Sequence, residues 1–144
     1  MQLSVLLLSL GLAAVQAAPG PMRARLSTVP TDLAMQETIA GRGAATAALS
    51  GTTLAIDGTY RGLRSPATTV RVFESPRPGM RGTLVGEFPS GGGTSGAFKG
   101  TVTLTRDQAT AYAKGLLYVQ VQSEKAPDGN LWGWLMAAPK GSPR

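Results

Sequence analysis

Short runs of alternating apolar and polar residues, each cut off by glycine or proline, leave this chain little room for anything but β-structure. Nineteen Gly and ten Pro in 144 residues interrupt it too often for long helices. Alternation with period 2 places successive side chains on opposite faces of a strand. Met22–Leu26 (MRARL) alternates cleanly, with its arginines on the wet face. Gly43–Leu49 and Thr53–Tyr60 flank Ser50-Gly51-Thr52, a hairpin loop. Thr69–Glu74, Thr83–Phe88, Ala97–Leu104, Leu116–Ser123 and Leu131–Met136 complete a set of eight short strands. Pro89–Gly96 reads as a flexible hairpin loop, and Pro127-Asp128-Gly129-Asn130 as a turn.

One segment departs from that pattern. Thr105 is placed to N-cap a helix, with Gln108 three residues on and Asp107 in the first turn; Gly115 ends it. One short helix at about 105–114 is therefore expected. Eight strands and one helix predict an antiparallel β-sandwich or flattened barrel.

The chemistry open to such a chain is narrow. It contains neither Cys nor His, which excludes thiol nucleophiles, Ser-His-Asp triads, thiolate or imidazole metal sites and disulfides. No metal and no cofactor is expected. The formal net charge of +6 favours anionic surfaces in general. Its arginines are scattered among acids, however, and a specific nucleic-acid footprint clusters, so none is expected.

Leu3–Leu12 is an apolar run followed by small residues, with Val15 and Ala17 suited to the −3 and −1 sites of a signal peptidase. The run is too short to span a bilayer. The reading is a signal peptide over 1–17, cleaved after Ala17, then one domain over 18–137 and a flexible polar tail over 138–144. The protein is thus expected to be exported to the periplasm, envelope or medium. A domain of this size can bury a sufficient core without cross-links.

The second half carries a resemblance. Val70–Val85 (VRVFESPRPGMRGTLV), Gly96-Ala97-Phe98-Lys99-Gly100 and Gly115–Leu135 (GLLYVQVQSEKAPDGNLWGWL) resemble the CHRD (chordin-type) domain over about Arg25–Leu135. The resemblance implies an extracytoplasmic, immunoglobulin-like, Greek-key-type β-sandwich. In chordin such domains belong to a secreted protein that binds growth factors, and single-domain bacterial members have no agreed activity. Members usually have a His-x-His strand and a further His on the tyrosine-bearing strand. Here those positions hold Arg71, Phe73 and Gln122, none of which is a strong transition-metal ligand.

Alternation also sorts the candidate surface. With Val70, Val72, Leu117, Val119, Val121, Leu131 and Leu135 inward, the residues between them face out. These are Arg71 and Phe73 on one strand, Tyr118, Gln120 and Gln122 on another, and Trp132 and Trp134 on a third. Side by side they would form an aromatic and amide surface suited to a sugar ring or an extended peptide. The plainer alternative puts both Trp rings in the core and has the Gln side chains bonding across strands. Asp57, Glu87 and Asp107 are candidate carboxylates for hydrolysis, but they fall on separate elements. Arg77 and Arg81, in the Pro-rich loop, would be exposed and able to hold an anion. The expectation is a non-catalytic binding module for an unidentified protein or glycan. A structural envelope component and a carboxylate-based hydrolase are the alternatives.

Overall fold

Nine strands, each paired antiparallel to its neighbours, follow the punctuation of the sequence. The computed structural model describes residues 20–29 and 32–137, so the expected leader and tail lie outside the described residues. The strands are β1 (Met22–Ser27), β2 (Arg42–Ser50), β3 (Thr53–Arg61), β4 (Ala67–Glu74), β5 (Thr83–Pro89), β6 (Gly96–Thr103), β7 (Leu117–Ser123), β8 (Ala126–Trp134) and β9 (Met136–Ala137). A 3-10 turn covers Ala34–Glu37, and the helix α1 covers Arg106–Ala113.

Of the two expected layerings, the structure comes nearer to the flattened barrel than to the immunoglobulin-like sandwich. All nine strands form one continuous sheet in the order β5-β4-β7-β8-β1-β2-β3-β6, with β9 on β1. This sheet curls until its two edge strands approach one another, giving a nearly barrel-shaped molecule. Small residues make the approach possible. A Cβ at Gly86 would lie 2.6 Å from Val102 Cγ1, and one at Gly100 would lie 2.3 Å from Phe88 Cγ. Sheet twist curls a long sheet in this way, and alternation is the same in a curled sheet as in two stacked ones. The two halves meet along β1, which pairs in one register with β8 at Ser27↔Trp132 and with β9 at Arg23↔Met136 and Met22↔Ala137.

The inner face is a single apolar cluster. Val70, Val72, Leu117, Val119, Val121 and Leu131 come from one half of the sheet; Leu26, Ala45, Ala47, Leu54 and Ile56 come from the other. Each fully buried aliphatic side chain contributes about 1.5–3 kcal/mol. α1 links β6 to β7 and inserts Ala111 and Tyr112 into this core, with the Tyr112 hydroxyl donating to the Ala47 carbonyl at 3.3 Å. Its capping box forms as expected: Gln108 N–H donates to Thr105 Oγ1 (3.2 Å) and Thr105 N–H to Gln108 Oε1 (2.9 Å).

A second departure concerns residues 127–130, which lie inside β8 rather than in a turn. The chain reverses at Glu124-Lys125, where Ser123 pairs with Ala126. Glu124 N–H donates to the Pro66 carbonyl (3.0 Å) and Lys125 N–H to Ser65 Oγ (2.9 Å), tying the tip to the β3–β4 connection. Asn130 is buried, donating to Ser123 Oγ at 2.9 Å and accepting from Ala40 N–H at 3.2 Å. Tertiary hydrogen bonds thus override local turn chemistry, and the extra residues form an irregularity opposite Gln122.

Candidate functional site

Every position of β7 is buried, although its alternation reads as one wet face and one dry. The inner set is aliphatic, and the outer set, Tyr118, Gln120 and Gln122, is covered by something other than the core. Register arranges this outer face in two rows across three strands. Arg71 pairs with Gln120 and Gln120 with Trp132; Phe73 pairs with Tyr118 and Tyr118 with Trp134. All seven residues singled out from the sequence lie on this face and line one cavity of about 440 Å³.

The second row is an aromatic stack. Phe73 and Tyr118 lie nearly parallel at 5.1 Å, and Tyr118 and Trp134 are tilted by 48° at 4.7 Å. Such pairs contribute about 0.5–1.5 kcal/mol beyond their buried area. The first row is polar. Gln122 Nε2 donates to Gln120 Oε1 (3.3 Å), and Gln120 Nε2 donates to the Asp128 carbonyl on β8 (2.9 Å). One part of the alternative reading therefore holds, since Gln120 does bond to the neighbouring strand. The other part does not. Both Trp rings are half-buried on the outer face and outside the inner core.

Gly129 makes room for this arrangement. Its φ of +124° is a conformation that residues with a side chain rarely adopt, and a Cβ there would fall 2.2 Å from Trp132 Nε1 and 2.5 Å from Gln120 Nε2. Trp132 Nε1 is buried and has no hydrogen-bond partner among the described residues. Such an orphan donor costs about 1–3 kcal/mol.

The loop between β4 and β5 forms a roof. The Ser75 hydroxyl sits between the carbonyls of Arg77 and Met80, and Gly82 N–H donates to the Tyr118 hydroxyl at 3.0 Å. This brings the Arg81 guanidinium over the Trp132 ring, 5.2 Å from its centroid. Arg25 and Ser27 on β1 complete the opposite wall. A smaller cavity of about 200 Å³ shares Arg81 and Asp128 and also includes Asp32 and Lys125. Asp32 Oδ1 is engaged there, accepting from Met35 N–H at 2.9 Å.

Charge around the main cavity is unbalanced. Arg25, Arg71 and Arg81 line it against one carboxylate, that of Asp128. Arg71 Nε pairs with Glu87 Oε2 at 2.8 Å, the sole ion pair among the described residues. With both partners well exposed, that pair contributes about 1 kcal/mol or less. Asp57 lies on β3 opposite Lys99, Glu87 lies on β5, and Asp107 lies in the first turn of α1. The structure brings none of these three to either cavity. Among the described residues no group of three or more Asp or Glu is arranged to hold a metal ion.

Sequence reasoning missed Arg25, Asp128 and Gly129 as parts of the site. Arg25 was legible only as a wet-face residue, because nothing local places β1 beside β8. Arg77 and Arg81 are both exposed, as expected for the Pro-rich loop; Arg81 lines the cavity and Arg77 does not.

Fold and site together define an all-β domain with a basic, aromatic cavity on the outside of its sheet. The family model described as CHRD domain matches residues 23–135, and the chain belongs to that family. No curated protein and no solved structure matches the chain. No helix among the described residues is long and apolar enough to cross a membrane.

Proposed function

We propose that this CHRD-domain protein is an exported, non-catalytic binding module whose outer-face cavity holds a protein or glycan partner. The observation that carries the reading is the convergence of seven side chains from three adjacent strands on one roofed cavity. Its volume falls within the range of small-ligand sites, and its lining joins apolar faces to a few placed polar groups. Support for contact rather than turnover comes from the acids: the main cavity is lined by one carboxylate, whereas hydrolysis of the type weighed above needs a pair. Export is supported by the leader-like pattern of residues 1–17.

The test is affinity capture from the producing cell's envelope and medium with three baits: wild type, Trp134→Ala and Gln122→Ala. Binding of each recovered partner is then measured with purified components. Loss of the same partner by both variants, with each still folded by circular dichroism, supports the reading. Equal binding by all three baits overturns it. N-terminal sequencing of secreted protein should begin at Ala18, and an intact Met1 on that material would refute export by cleavage.

A further inference from the structure

Resting on that reading, we propose that the cavity takes an acidic saccharide, a pyranose ring bearing a carboxylate or a sulfate. Three features point to this class together. First, β7, the cavity floor, is hydrogen-bonded on both sides, to β4 and to β8. No free strand edge is offered, so an extended peptide cannot be held by strand addition, and side chains must do the recognising.

Second, the floor combines aromatic rings with amides. Half-buried Phe73 and Trp134 flank Tyr118, and beside them Gln122 is 4 % exposed. Its amide donates one N–H to Gln120, and its carbonyl oxygen has no hydrogen bond from any described residue. A sugar presents an apolar C–H face to aromatic rings and hydroxyls to such amides.

Third, the rim supplies positive charge from two separate elements, Arg25 on β1 and Arg81 on the roof loop, while Arg71 on β4 is held by Glu87. Arg25 and Arg81 have no ion pair among the described residues. Guanidinium groups are suited to two-point recognition of carboxylate and sulfate oxygens. A neutral sugar would leave this charge unanswered, and an acidic peptide without apolar side chains would leave the rings unused.

The experiment follows the indole N–H signals of the full chain by nuclear magnetic resonance. The chain's two tryptophans both line the cavity, so these signals report on it alone. Trigalacturonate, its fully methyl-esterified form, a κ-carrageenan tetrasaccharide and hexaglutamate are titrated in parallel. Trigalacturonate or the sulfated tetrasaccharide should shift both signals saturably, and whichever binds more tightly identifies the anionic group. Affinity for trigalacturonate should fall at least tenfold on methyl esterification and at least tenfold in Arg25→Gln/Arg81→Gln. Binding of the methyl ester as tight as that of the acid overturns the charge requirement. Binding of hexaglutamate at equal affinity overturns the saccharide. Silence of both acidic saccharides overturns the proposal, while the binding-module reading stands or falls separately on whether Trp134→Ala and Gln122→Ala lose a captured partner.

Discussion

The outer face of β4-β7-β8 and the outer face of β2-β3-β6 share the same alternation and back onto the same core, yet they carry opposite kinds of surface. Across β2-β3-β6 the register aligns Thr46 with Asp57 and Asp57 with Lys99, and Ala48 with Ala55 and Ala55 with Thr101. All six of these side chains are exposed. Across β4-β7-β8 the corresponding rows are large, stacked and roofed. Alternation identifies which side chains leave the core; the size of those side chains indicates whether they then meet water. Small Ala and Thr need no cover, whereas Tyr, Trp and Gln bury surface only when a loop such as 75–82 folds over them.

The largest effect that would sharpen this contrast lies at Gly129. Gly129→Ala combines an unfavourable backbone conformation with a collision against the Trp132 indole, and should cost about 3 kcal/mol in urea denaturation. Thr101→Ala, on the open face, should stay within about 0.5 kcal/mol. Comparable losses at the two positions would remove the distinction between the faces.

Next comes Trp134→Ala, expected to cost about 2 kcal/mol, below the 3–5 kcal/mol typical of a fully buried aromatic because the ring is half-exposed. Asp57→Ala on the open face should change the thermal midpoint very little. A large shift there would mean that the β2-β3-β6 face is covered too.

Two inward tyrosines probe the core that both faces share. Tyr112→Phe removes one buried hydrogen bond and should cost about 1 kcal/mol at neutral pH. Burial raises the phenols of Tyr60 and Tyr112 above their ordinary value of 10.0. Above that pH the unfolded chain releases protons that the folded chain keeps, so their contribution is intact below pH 10 and declines as pH climbs towards the folded values. Tyr60→Phe/Tyr112→Phe should therefore lose less stability than wild type between about pH 9.5 and 11. An identical decline in both proteins would show that these phenols ionise as readily folded as unfolded.

The smallest effect is at the roof. Arg81→Gln removes an exposed cation–π contact and should alter stability by about 0.5 kcal/mol. Its consequence belongs to ligand affinity, and a stability loss several times larger would recast Arg81 as a clamp of the fold.

Much of this molecule was legible residue by residue. The β2–β3 hairpin, the capped helix and the directions of residues 70–73 and 117–122 followed from period, punctuation and capping chemistry. What stayed hidden was long-range. Nothing near Arg25 reveals that β1 joins β8, and nothing in Pro127–Asn130 reveals that Asn130 will be bonded to Ser123 and Ala40. The seven site residues were found together because their strands are adjacent, while the arginine rim needed the long-range pairing of β1 beside β8 and the fold of the β4–β5 loop to assemble it. The choice between curling one sheet and stacking two stayed open in the sequence, since the Gly86 and Gly100 contacts that permit curling join β5 to β6, the two edges of the sheet.

The joint along β1 has a mechanical meaning for whatever enters the cavity. Floor and far wall belong to different halves, held in one antiparallel register by β8 and β9 on β1. The gap between Arg25 and the Gln-Trp floor is thus set by strand pairing, because paired positions lie on both sides of Arg25. Selectivity could drift through changes on β1 alone, leaving the interior that keeps the protein folded untouched.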